Sequence, residues 1–331
     1  MPKAIVGLPT EGYLSPFTGV FIPVNVPVTF HDLSTGNPTE RSWTFQATDI
    51  EHSTESDPIV TYVKPGTYSV GLQVWNKVGT DIDILKYAIQ AGGAQYIWNL
   101  QPEESMKLEQ LELGWYGNYA GSNWLMMYEF AEKFKAPLAP ATIDSVTVYF
   151  ASTQTVTPDT LITVSIREDS LGLPGKVLAS GSVKAGDLNW DDENIVGTCF
   201  HLDQTVHINS EFFVSISGMP NNTDEATSKS DNIAVLCARH IDERPGTVYH
   251  YLDNTQTYEP SGECSWHYNS AENISMAICP VLDYGVPTSI DNLNEVRTST
   301  SRTYNLNGQT IDDKQARKGL QIVNGKAIFC K

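Results

Sequence analysis

Cysteine is scarce and unpatterned in this chain: Cys199, Cys237, Cys264, Cys279 and Cys330 are scattered, with no CxxC pair. That spacing excludes a disulfide-rich scaffold and a paired-thiolate zinc site. Cys199, Cys237 and Cys279 each sit in an apolar, strand-like run, where cysteine acts as a small hydrophobe. Basic residues are also few. Against 39 Asp and Glu there are 21 Lys and Arg, a formal net charge of −18. Such a surface repels phosphate backbones and anionic lipid, so nucleic acid is excluded as a partner. No apolar run approaches the roughly 18 residues of a spanning helix. The opening MPKAIVGLPTEGYLSP has no apolar core and no small-residue cleavage site, so it does not read as a secretory leader. Either the protein is cytoplasmic or Met1 opens a fragment or mature form, and the rest of the chain favours the second.

What is present is strand signal. Hydrophobic residues make up 40% of 331 residues, enough for more than one core and too many for wholesale disorder. In VPVTFHD, Val26, Val28 and Phe30 alternate. STGNPTE follows as a turn cluster, then the short aromatic SWTFQA. IVTYVK leads into Pro65-Gly66, a tight-turn pair. TYSVGLQVWN alternates Tyr68, Val70, Leu72 and Val74, NKVGTD turns, and IDILKYAIQ is a last strand. Short strands punctuated this closely predict an immunoglobulin-like sandwich.

The segments VTFHDLSTGNPTERSWTF and PIVTYVKPGTYSVGLQVWNKVGTD, in that order and spacing, resemble the PKD repeat over about residues 24–91. One feature departs from the family: its W-x-F-G-D-G run is here Trp43-Thr44-Phe45-Gln46-Ala47-Thr48, so that loop must be built differently. The resemblance implies an extracellular spacer or adhesion domain without catalytic groups. Trp43 and Tyr68 are expected to be mostly buried in its core.

QAGGAQ at 90–95 reads as a linker. Beyond it, MMYEFAEKF fits a helical stripe (Met127, Phe130, Ala131, Phe134) or a strand (Tyr128, Phe130, Phe134) spoiled only by Glu132. The strand is favoured, because SVTVYFAS, LITVSIRED, EFFVSISGM, NIAVLCAR, TVYHYLD and ISMAICPVL all alternate. Alternation marks antiparallel sheets with one wet face, and this many strands predict a jelly-roll-like β-sandwich. The order VTVYFAS, LITVSIREDSLGLPGKVLASGSV, EFFVSISG resembles a β-sandwich of secreted Bacteroidetes proteins, which accompanies PKD repeats, peptidases or adhesins. The resemblance names an architecture rather than an activity.

Candidate chemistry is thin. Cys264 and His267 have a C-x-x-H spacing, but a structural zinc needs two more ligands and catalysis a positioned third group; no spacing ties His240 or His250 to them. Asp191, Asp192 and Glu193 cluster as hard-cation ligands would, yet the fixed glycine of a Ca²⁺ loop is missing and a solvated acidic loop is the simpler reading. Nothing positive supports a carboxylate pair for glycoside hydrolysis, whose separation is set by the fold. The strongest candidate is WYGNYAGSNW: Trp115, Tyr116, Tyr119 and Trp124 stand among glycine and asparagine, as in a loop whose rings stack on sugar faces. The alternative is that these rings pack the second core. No catalytic residue, metal ligand or cofactor is assigned.

Near the end VRTSTSR reads as linker, and TYNLNGQTI and GLQIVNGKAIF as short hairpin strands with Asn-Gly turns. Tyr304, Leu306, Ile322, Val323 and Ile328 would share a small core. The run from Tyr304 resembles the C-terminal tails of Bacteroidetes proteins exported by the type IX route; Cys330, at a position usually aliphatic there, departs from it. The resemblance implies export to the outer-membrane surface or beyond.

The expectation is an all-β chain: a PKD-type Ig-like sandwich at 1–92, a jelly-roll-like sandwich at 93–285, and a linker with a hairpin tail at 286–331. It reads as a monomeric, non-catalytic adhesion or binding protein with an extracellular glycan or protein ligand. The alternatives are accessory modules of a larger secreted peptidase or glycosidase, and an enzyme in its own right.

Overall fold

The computed structural model describes residues 1–16, 19–191, 195–253 and 264–285, and the backbone of four short strands beyond. It divides into two units, Met1–Pro287 and Thr288–Lys331. Asp192, Glu193, the VRTSTSR linker and the side chains of Tyr304, Leu306, Ile322, Val323, Ile328 and Cys330 lie outside the described residues.

The chain is all-β, and its first part is an Ig-like sandwich. Alternation along each strand turns Val28, Phe30, Trp43, Phe45, Val60, Tyr62, Val70, Leu72 and Val74 into one core. The main sheet runs Tyr13–Leu14, Val20–Ile22, Gly79–Ala91, Gly66–Asn76, Glu40–Thr44, His52–Ser53. Val20–Ile22 lies parallel to Gly79–Ala91, and the remaining pairs are antiparallel. Trp43 has no exposed surface. Its indole N–H donates to the Glu55 carbonyl at 2.9 Å, and its ring stacks on Phe45 at 5.8 Å. Tyr68 is half-buried rather than buried. Its hydroxyl clamps the Pro65-Gly66 turn through the carbonyls of Lys64 and Pro65, so one end of the ring must stay near solvent.

Where the family places Gly-Asp-Gly, Ala47 adopts φ 55°. The Asp49 carboxylate, two residues past the position of the family's aspartate, accepts the backbone N–H of Ile50 and Thr61. The strand Gly79–Ala91 holds an inversion. Asp81 and Asp83 face inward and accept the N–H of Ala4 and Val6, each at 2.9 Å, which leaves Ile82 and Ile84 exposed. A bulge between Leu85 and Ile89, with Tyr87 at φ 55°, then returns Ile89 and Ala91 to the core.

The second sandwich has two sheets around one larger core. One runs Ala94–Tyr96, Ile278–Asp283, Ala141–Gln154, Gly197–Ile208, with Asn232–Val235 also on Ala141–Gln154. The other runs Leu173–Lys184, Leu161–Ser170, Phe212–Ser217, Met127–Phe134, Val248–Asp253, Cys264–Tyr268. Met127–Phe134 is therefore a central strand. Glu132, the residue that interrupts its apolar face, is fully buried there with Phe130 and Phe134.

The two sandwiches are sewn together. Gly93 and the segment Tyr284-Gly285 exchange backbone hydrogen bonds, the Trp98 N–H reaches the Leu14 carbonyl at 3.1 Å, and Phe21 lies 4.8 Å from the Tyr284 ring. Tyr13 and Phe21 belong to the second core although they sit in the first sheet. Among the described residues, no helix is long and apolar enough to cross a membrane, and Cys199, Cys237 and Cys279 are free thiols. In the second unit the strands Thr310–Ile311, Thr303–Tyr304, Gly319–Val323 and Lys326–Cys330 form an antiparallel sheet in that order.

Candidate functional site

The loop from Trp115 to Trp124 is held by backbone hydrogen bonds, both within itself and to the second sandwich, and by three buried polar side chains. Leu113 N–H donates to Gly117 O at 2.7 Å, Asn118 N–H to Ser122 O at 2.8 Å, and Trp124 N–H to Tyr116 O at 2.8 Å. The inner side is tied to the strand Asn232–Val235 by Ser122 N–H to Ile233 O and Val235 N–H to Ala120 O. Asn123 is buried. It donates to the carbonyls of Gly121 and Met127 and accepts the N–H of Leu125 and Met127, using its whole amide on the loop. Asn118 bridges Gln110 and Asn232, and the Ser122 hydroxyl accepts the Ile233 N–H.

Two glycines are required by this closure. Gly117 has φ 94°, and a side chain there would meet Ser122 O at 2.4 Å. A Cβ on Gly121 would stand 2.2 Å from Ile233 O. The asparagines and glycines that mark the segment as a loop in sequence are thus what makes it rigid.

The four candidate rings divide. Trp115 is 98% exposed, Tyr116 54% and Trp124 57%. The backbone bond between Tyr116 and Trp124 brings those two positions side by side across the loop. Tyr119 is different, and the expectation of a four-ring surface is corrected there: it is only 7% exposed. Its N–H is tied to Leu111 O, its ring meets Phe130 edge-on at 5.2 Å, and its hydroxyl lies 3.2 Å from His250 Nδ1. Those partners draw it into the core, and burial pushes its phenol pKa up. Leu125 and Tyr128, adjacent in sequence, are also exposed.

The remaining candidates separate. Cys264 and His267 lie three apart on the strand Cys264–Tyr268, so they face opposite sides of the sheet. Cys264 Sγ contacts Asp253, and His267 stacks on His250 at 5.7 Å. Burial, then the neighbouring His267, push the His250 pKa down to about 4. Among the described residues no three His, Cys, Asp or Glu side chains converge as a metal site.

A polar network that no sequence pattern announced runs through the second core. Asn99 Nδ2 donates to Glu132 Oε1 at 2.7 Å, Met276 N–H to Oε2 at 2.9 Å, and the Thr247 hydroxyl to Oε1. Ser275 Oγ lies 2.6 Å from Thr247 Oγ1 and 2.9 Å from His240 Nε2. The Ser275–His240 contact has the spacing of a nucleophile and its base, but Ser275 has no exposed surface and His240 is half-buried. Burial raises the Glu132 pKa to about 7 against the opposing hydrogen bonds of Asn99, Met276, Thr247 and Ser275. These five polar residues come from segments far apart in the chain, and no spacing could have joined them.

Residues 14–89 match the PKD domain family. No curated protein matches the sequence. Among solved structures, one described as a structural basis for the promiscuous specificity of carbohydrate-binding modules from the beta-sandwich super family is similar at 16% identity, with 66% of this chain and 96% of that one covered and a TM-score of 0.24. A SusE-like protein is similar at 8% identity, with 82% and 99% covered and a TM-score of 0.23. Neither likeness bears on what this chain binds.

Proposed function

We propose that this chain is a non-catalytic surface or secreted protein that binds glycans through Trp115, Tyr116 and Trp124. The observation that carries the reading is three large rings left in solvent on a loop whose backbone is fixed by Asn118, Ser122 and Asn123. Exposed rings are costly in water; on a rigid frame they present flat apolar faces at little entropic cost on binding. The burial of Ser275 beside His240 supports a binding role over an enzymatic one. The PKD match supports an extracellular setting, and the resemblance of the tail to type IX signals supports export to the outer-membrane surface of a Bacteroidetes-type cell.

The test is a glycan array on the purified chain, followed by calorimetric titration of the hits. Trp115→Ala and Trp124→Ala should each weaken binding about fivefold or more, since one aromatic contact contributes on the order of 1 kcal/mol, with Tm unchanged. Undiminished binding by the double variant would sink the assignment. The reading as accessory modules of a larger secreted peptidase or glycosidase keeps the same binding site. It predicts a longer mature polypeptide on an immunoblot of the native host.

A further inference from the structure

A cleft of about 860 Å³ opens where the N-terminal segment and the stretch after the first sandwich cross the second sandwich. It is remote in sequence from the aromatic loop and does not depend on the glycan reading. Leu14, Trp98, Tyr249 and Tyr268 are among the side chains that line it. Junctions of this kind, mostly apolar with a few charged groups, are where small molecules bind.

Three cations line the cleft: Lys133, Lys135 and Arg244. Two are neutralised within the fold. Lys133 Nζ stands 3.0 Å from Asp169 and 2.7 Å from Glu211, and Arg244 pairs with Glu104 and Asp242. Lys135 is not neutralised. Its ammonium donates to the carbonyls of Thr10 at 2.7 Å and Gly12 at 2.6 Å and lies 5.6 Å from the Tyr13 ring. Among the described residues no carboxylate forms an ion pair with it. An ammonium carries three donors, and these bonds use two. The residue is exposed to solvent. Even so, the protein packed around the charge lowers its pKa, and Glu11, acting through space, offsets this only in part. In a chain of net charge −18, an unmatched cation at the wall of an apolar cleft is a specific feature.

We propose that this cleft binds a small amphipathic carboxylate, its apolar or aromatic body against Leu14, Trp98, Tyr249 and Tyr268 and its carboxylate on the free donor of Lys135. The cation then gains a directly paired counter-charge through a charge-assisted hydrogen bond.

The probes are 2-naphthoate and its neutral isostere 2-naphthamide, titrated into the full chain by calorimetry at low salt. Naphthoate is expected to bind one-to-one and on the order of tenfold tighter than the amide, the effect of one charge-assisted hydrogen bond. Raising the salt should narrow that gap. Lys135→Gln should remove the preference while the amide still binds. Because Lys135 also holds Thr10 and Gly12, Thr10→Trp provides a second arm: it keeps the lysine and fills the mouth from an exposed position, and it should block both probes. Absence of binding, equal affinity for the two probes, or unchanged naphthoate binding by Thr10→Trp would overturn the proposal.

Discussion

Glu132 gives the sharpest quantitative prediction. It is a carboxyl with no exposed surface, and burial raises its pKa from 4.5 to about 7. A raised carboxyl pKa means that the folded state holds the proton more tightly than the unfolded chain. The stabilisation is complete below about pH 4.5 and is lost as pH rises through about 7. A shift of this size corresponds to about 3 kcal/mol. The raw pH profile will not isolate it, because His250 acts in the opposite direction. Its folded pKa, about 4, lies below that of a free imidazole, so its contribution is present above about pH 6.5 and is lost as pH falls through 4. The variant Glu132→Gln leaves His250 in place and removes only the titration. Its amide nitrogen must face the Asn99, Met276 or Thr247 donors, a penalty that does not change with pH. Urea unfolding of both proteins from pH 5 to pH 8 should therefore show the variant gaining about 2–3 kcal/mol relative to wild type. A pH-independent difference would refute the reasoning and place the Glu132 pKa near its ordinary value.

Two further outcomes follow from the same geometry. Trp43→Ala should destabilise the first sandwich by about 3–5 kcal/mol, since it empties a fully buried site and leaves the Glu55 carbonyl without its indole donor; an unchanged melting temperature would contradict this. In an NMR titration the His250 imidazole should stay neutral down to about pH 4, and a midpoint near 6.5 would show that its contacts with Tyr119 and His267 do not persist in solution.

The fold was legible wherever burial follows a period of two. Val28 and Phe30, Val70, Leu72 and Val74, and Val164 and Ile166 alternate in sequence and all face a core. Met127–Phe134 was ambiguous because Glu132 breaks its apolar face, and the structure resolves the ambiguity: a carboxylate can occupy a core position when Asn99, Thr247 and Met276 satisfy it. The same physics hid the inversion at Asp81 and Asp83, whose inward carboxylates are satisfied by the N–H groups of Ala4 and Val6, about eighty residues earlier. Tyr119 was misplaced for another reason. Composition marks a loop but does not say which rings it buries, and the deciding partners, Phe130 and His250, lie outside the segment. Lys135 carries no sequence signal at all. It matters because it lines the cleft while, among the described residues, no carboxylate forms an ion pair with it.

The rigidity of both candidate sites has a consequence for how the protein would work. The loop rings stand on a backbone already closed by buried asparagines, and the cleft is walled by two sandwiches that share Tyr13 and Phe21 in one core. Binding therefore pays little ordering entropy at either place. Yet a few exposed rings contribute only on the order of 1 kcal/mol each, so a single loop would hold a glycan weakly however rigid it is. Useful retention then comes from many copies displayed together, where each further contact is intramolecular. On that argument the PKD-like sandwich would be more than a passive spacer. Sewn to the second sandwich by Gly93, Trp98 and Lys135, it would hold the aromatic loop at a fixed attitude, and an array of such loops gains avidity only if their orientation is kept.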